Sequence, residues 1–150
     1  MKKNLMGPSA EAEIIERILR LRPDSKAKWG TMNATEMLYH CNLCNQQVLE
    51  EVCDYKKPSL GIRLKKLIVF NVLPRIPKNN KGPARTHTKG RINDEQFDLQ
   101  LKIYIDLIHR LVNHQQPFRS IHPALGFLNM EEWGFILWMH MDHHLRQFGV

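Results

Sequence analysis

The chain has 150 residues, 43% of them hydrophobic and 25% charged, with a formal net charge of +7. That length suits one domain with a real core, and the composition excludes a disordered, collagen-like or disulfide-stapled chain. No run approaches the ~18 apolar residues of a membrane span, and Lys2 and Lys3 lead into no apolar stretch of the signal-peptide kind, so a cytoplasmic protein is expected.

Helical periodicity dominates from the start of the chain. Ile14, Ile15, Ile18, Leu19 and Leu21 form the apolar face of a first helix over Ser9 to Leu21, which Pro23 stops. Asn33, with Glu36 three residues on, opens a second helix over Ala34 to Val52 in the manner of a capping box. Met37, Cys41, Cys44, Val48 and Val52 share one side of it, and His40 lies at the edge of that side. The three cysteines, Cys41, Cys44 and Cys53, suit a reducing compartment, since an odd number cannot all pair within one chain.

Leu60 to Leu73 reads as a shorter apolar helix with Arg63, Lys65 and Lys66 inside it, ended by Pro74 and Pro77. A Pro-, Gly- and Lys-rich loop follows, an insertion over about residues 74–92 in an otherwise single helical domain of residues 1–150. From Lys56 to Arg91 the chain carries eleven Lys and Arg and no acid, half of all its basic residues. Such a field attracts anions, although a solvated loop would look the same.

A fourth helix is expected over Asp94 to Asn113, with Asn93 as its cap and Gln96 at the box position. Phe97, Leu101, Tyr104, Ile105, Ile108 and Leu111 make its stripe. Gln115 to Leu128 is a loop. A last helix over Met130 to Phe148, with Asn129 and Glu132 as a further capping box, is apolar nearly all round in its first half and belongs in an interior. Four long helices, one short one and little strand signal give an all-α helical bundle.

Eight histidines are present, and three of them, His140, His143 and His144, fall within one stretch of the last helix. At 100° per residue, with Trp133 at 0°, His140 lies at about 340° and His144 at about 20°, in the middle of the buried stripe; His143 lies at about 280°, at its edge. Two buried neutral imidazoles need partners for four ring nitrogens. A metal ion takes a lone pair from each, and an i, i+4 pair can reach one ion. Hydrogen bonds to side chains or water are the alternative. His40 is the third candidate, being the other histidine on the apolar side of a long helix. His87, His109, His114 and His122 are given no role. Glu36, one turn before His40, is a candidate to orient that ring, and His143 a candidate proton shuttle. Cys44, one turn after His40, is a weaker candidate ligand.

Trp29-Gly30-Thr31-Met32, Glu36-Met37-Leu38-Tyr39-His40, Glu132-Trp133 and His140-Met141-Asp142-His143-His144-Leu145-Arg146-Gln147-Phe148 together resemble the DinB/YfiT-like superfamily, in particular a bacterial DinB-related branch of unknown function. The resemblance implies an up-and-down four-helix bundle, often dimeric. It also implies a divalent metal held by His40, His140 and His144. Relatives include transferases that use low-molecular-weight thiols. Glu36 stands where this branch more often has Gln, and the basic segment has no counterpart in it.

Three readings of function stay open. The first is a metal-dependent hydrolase or thiol transferase acting on an anionic small molecule or a low-molecular-weight thiol; three histidines suit zinc or nickel, with iron or manganese as alternatives. The second is a non-catalytic, metal-stabilised protein that binds an anionic partner through its basic segment. The third places Leu60 to Leu73 on an anionic membrane. Nucleic acid is poorly supported, because the basic segment has only Phe70 to stack on bases.

Overall fold

The computed structural model describes residues 3–50, 59–73, 75–78, 82 and 84–150. Val52, Cys53, Lys56, Lys57, Pro74 and Lys81 lie outside the described residues. Five helices carry the fold among these: α1 (Ala10–Ile18), α2 (Ala34–Leu49), α3 (Leu60–Asn71), α4 (Phe97–Val112) and α5 (Met130–Phe148). A two-residue antiparallel pair, β1 (Ile121–His122) with β2 (Gly126–Phe127), interrupts the loop expected before α5.

Local chemistry sets most boundaries. The Asn33 side chain accepts from the Glu36 amide while the Glu36 carboxylate accepts from the Asn33 amide, so α2 opens on the expected capping box; Asn129 and Glu132 do the same for α5. Asn93 behaves differently. It accepts from the Glu95 amide and starts a 3-10 turn over Asp94–Gln96, so α4 begins only at Phe97. That turn ties Asp94 to Asn33 at the head of α2, with Asp94 Oδ1 accepting from Asn33 Nδ2 at 2.6 Å. α1 is shorter than its apolar stripe. Arg20 and Leu21 bond back only three residues, closing the helix ahead of Pro23, yet Leu21 still packs into the core.

α1 and α2 each pack against both α4 and α5, which makes a helical bundle. Its core includes Ile14, Ile18, Met37, Leu38, Tyr104, Ile108, Met141 and Leu145. α5 is buried along nearly its whole length, beyond its apolar first half. Asp142 explains this: it is clasped by Arg17 of α1 at 2.9 Å and by Arg146 at 2.7 Å, so a charged position can turn inward. The N-terminal segment is part of the same packing. Leu5 is fully buried and its amide donates to the Gly134 carbonyl.

α3 stands apart from this core and has no buried residue. It leans on the bundle through Phe70, whose ring centroid is 5.3 Å from that of Phe135, and through Lys66, which pairs with Glu132 at 2.8 Å. No helix among the described residues is long and apolar enough to cross a membrane.

Candidate metal centre

α2 and α5 meet at their histidines. α2 presents His40 and, one turn on, Cys44; α5 presents His140 and, one turn on, His144. His40 Nε2 and His140 Nε2 lie 3.2 Å apart. The ring of His144 has its centroid 4.8 Å from that of His40 and 4.7 Å from that of His140. The three rings therefore touch one another across the helix pair.

Two of the three are held in a defined tautomer. His40 Nδ1–H donates to the Thr86 carbonyl at 2.6 Å. His144 Nδ1–H donates to Gln147 Oε1 at 2.8 Å, and Gln147 Nε2 in turn donates to the Trp29 carbonyl, which fixes the way the amide faces. With the proton on Nδ1, each ring keeps a bare Nε2 lone pair, and that of His40 faces His140 Nε2. This is the usual outer arrangement of a metal-ligating histidine.

Burial keeps these rings neutral. It is the largest cause lowering the pKa of His40. Burial and then the neighbouring His144 and His40 hold His140 well below the ordinary value. Burial, with His40 beside it, pushes His144 down to about 3. Neutral imidazole is the form that binds a metal.

Cysteine joins the cluster. Cys44 Sγ is 3.9 Å from His40 Nε2, and His40, Cys44 and His140 each offer a ligand atom within 4.8 Å of the other two. Cys41, His140 and His144 form a second such group, so His140 is common to both. Burial pushes the Cys44 thiol up to about 12, with Arg85 working against it, and pushes Cys41 well above its ordinary value. Neither is a thiolate at neutral pH without a cation beside it. His40, His140 and Cys44 are half-buried, while His144 and Cys41 are buried.

The donor set fits a borderline cation such as zinc or nickel. Two nitrogens on one tetrahedral ion stand about 3.4 Å apart if each bond is about 2.1 Å, close to the separation seen between His40 and His140. In the absence of an ion, the same pair is bridged if His140 carries its proton on Nε2.

The remaining sequence candidates lie beside the cluster. Glu36 does not bond His40: its Oε2 accepts from the Asn33 amide at 2.9 Å and its Oε1 from the Gly90 amide at 2.5 Å. His143 is buried, with Nδ1 donating to the Ile76 carbonyl at 3.2 Å and its ring edge-on to Trp29. Lys78 Nζ sits 4.8 Å over the same Trp29 ring. The basic segment is therefore partly seated on the site. Thr86 and Thr88 are buried, and Thr88 Oγ1 donates to the Glu36 carbonyl. Sequence reading assigned no role to Thr86, Gln147 or Gly30, although Gln147 and Gly30 stand in the motifs quoted above.

Over residues 2–149 the chain matches the family described as "Protein of unknown function (DUF1569)", and it belongs to that family. No curated protein and no solved structure matches it.

Proposed function

We propose that this DUF1569 chain is a metal-binding protein related to the DinB/YfiT-like superfamily, holding one divalent ion, zinc or nickel, through His40, His140 and His144. The observation that carries the reading is the convergence of the His40 and His140 Nε2 atoms, 3.2 Å apart, beside a His144 ring whose Nδ1 proton is already committed to Gln147. When bound, such an ion supplies Lewis acidity and lowers the pKa of a nearby water or thiol. The chemistry that follows is hydrolysis or thiol transfer on a small molecule.

The chain's own residues prepare the site. Thr86 and Gln147 hold two ligand rings in the Nδ1–H tautomer and prevent them from turning. Trp29, with Lys78 over its ring, packs edge-on against His143, which would exchange protons with a substrate near neutral pH.

A second reading is favoured by Cys44. Its sulfur lies 3.9 Å from His40 Nε2, and if a bound ion took its proton it would give a fourth protein ligand. A site closed in that way stabilises the fold and does not catalyse. The protein would then be a metal-stabilised module that engages an anionic partner through its basic segment. Cobalt substitution separates the two. An open three-histidine site gives a visible cobalt spectrum that shifts when azide or a small thiol is added, and that is unchanged in Cys44→Ser. A closed site shows a sulfur-to-cobalt charge-transfer band that Cys44→Ser abolishes, and no response to azide. Cobalt spectra absent from both proteins would overturn the metal reading itself.

A further inference from the structure

α3 is a helix with two faces, and among the described residues only one of them packs against the rest of the fold. On the wheel, with Leu60 at 0°, the side toward the bundle runs from about 180° to about 280° and holds Ile62, Lys66, Val69 and Phe70, the four positions of the helix that are partly buried. The opposite side runs from about 340° to about 80° and holds Leu67, Leu60, Asn71, Leu64 and Ile68. Those apolar side chains stand in solvent: Leu60 is 83% exposed, Leu64 57%, Leu67 60% and Ile68 39%. Val72, 68% exposed, continues the patch past the last turn. A contiguous apolar stripe of this kind marks an interaction surface.

Charge decides what the surface meets. Arg63 lies at about 300° and Lys65 at about 140°, so an exposed cation flanks the stripe on each side. Exposed Arg75 and Lys78 follow α3, and no acid occurs anywhere from Lys56 to Arg91. Among the described residues, the acid that meets α3 is Glu132, and it is already paired with Lys66 on the inner face. Lys66 also donates to the Phe127 carbonyl at 3.0 Å, which pins the β1–β2 hairpin and its 65% exposed Phe127 beside the helix. A symmetric contact between two copies would bring Arg63 and Lys65 toward like charges with no acid in the segment to offset them. An anionic bilayer satisfies both features at once. The leucines enter the acyl boundary, and the flanking side chains extend to the phosphates.

We propose that α3 is a membrane-docking helix that lies in the interface of an anionic phospholipid surface, with Leu60, Leu64, Leu67 and Ile68 inserted and Arg63 and Lys65 on head groups. The contact is reversible and salt-sensitive.

Co-sedimentation of the full chain with vesicles tests it. Binding is expected to vesicles of equal parts phosphatidylserine and phosphatidylcholine at low salt, and not to phosphatidylcholine alone. Arg63→Ala with Lys65→Ala should weaken binding roughly 25-fold, about fivefold for each charge. Leu64→Asp with Leu67→Asp should weaken it at least about tenfold. All four side chains are exposed, so both variants should melt with the wild type, and Leu64→Gln with Leu67→Gln gives a second, uncharged check on the apolar face. No binding to the anionic vesicles at low salt overturns the proposal. So does binding that survives both leucine variants, which would be phosphate attraction without insertion. A concentration-dependent dimer that Leu64→Asp with Leu67→Asp abolishes, without vesicle binding, overturns it in favour of a second copy of the chain.

Discussion

Gln147 uses its two amide atoms on different segments, the oxygen on His144 and the nitrogen on the Trp29 carbonyl. Gly30 makes the second contact possible. It has a φ of +81°, and a Cβ there would lie 2.6 Å from Gln147 Nε2. Gln147→Ala should therefore weaken zinc binding roughly 10- to 100-fold in a chelator competition, with the fold kept. Gly30→Ala should act in the same direction. Unchanged affinity in both would show that the His144 tautomer needs no help. His122 gives a prediction about pH. Its Nδ1 accepts from the Ala124 and Leu125 amides, each at 3.2 Å, so protonation there breaks the turn. Burial lowers its pKa from 6.5 to about 4. The unfolded chain thus binds the proton first. The stabilisation is complete above about pH 6.5 and is lost as pH falls toward about 4, on the order of 3 kcal/mol in all. The stability difference between wild type and His122→Asn should shrink over that interval in urea titrations; a difference independent of pH would contradict it. At this scale His140 and His144 were legible, because a helix turns by a fixed angle and their spacing alone puts them together. The Thr86 carbonyl was not. A backbone acceptor has no residue signature, and it is delivered by a segment whose composition says only that it is a loop.

The elements show a similar division. Capping boxes at Asn33 and Asn129 were readable because both partners are side chains at fixed offsets. The 3-10 start of α4 was not readable, since it depends on Asp94 meeting Asn33 from a distant part of the chain. With Trp133 at 0°, Asp142 and Arg146 lie at about 180° and 220° on the α5 wheel, opposite His140 and His144, where solvent would be the ordinary expectation. Arg17 from α1 changes that by bonding Asp142 and the Val150 carbonyl together. The Arg17 and Asp142 side chains are only 12% and 10% exposed. Asp142→Ala leaves two guanidinium groups facing a hole and should cost roughly 3 kcal/mol in denaturant unfolding. Arg17→Ala combined with it should cost much less than the sum of the two, because the contact is shared. Full additivity would mean that the clasp does not couple α1 to α5. α3 was expected as a helix and is one. Its exposed apolar side could not be known from the sequence, because it depends on which face the other described helices leave open.

For the whole molecule, the metal reading has a thermodynamic consequence. The proposed ligands come from α2 and α5, which are ordered together only in the folded chain, so an ion that binds them would stabilise the native state by mass action. At a free concentration 100 times the dissociation constant the gain is about 2.7 kcal/mol, a rise of roughly 5–10 °C in melting temperature for a domain of this size. A melting point unmoved by zinc or nickel would speak against a site joining the two helices. The fold class and this meeting of α2 with α5 were accessible from periodicity and from the quoted motifs. The seating of the basic segment on Trp29 and His40 was not, because nothing in a Pro-, Gly- and Lys-rich stretch records what it covers.

Metal content of tag-free protein, exposed to zinc or nickel and then dialysed, is the most direct test of the central claim. The wild type should hold one equivalent, and His140→Ala and His144→Ala should each hold none. His40→Ala should hold none or a weakly bound remnant, and His143→Ala, whose Nδ1 is spent on the Ile76 carbonyl, should keep the full equivalent. A wild type that retains no metal, or a metal that survives His140→Ala and His144→Ala and is lost from His143→Ala, would contradict the account.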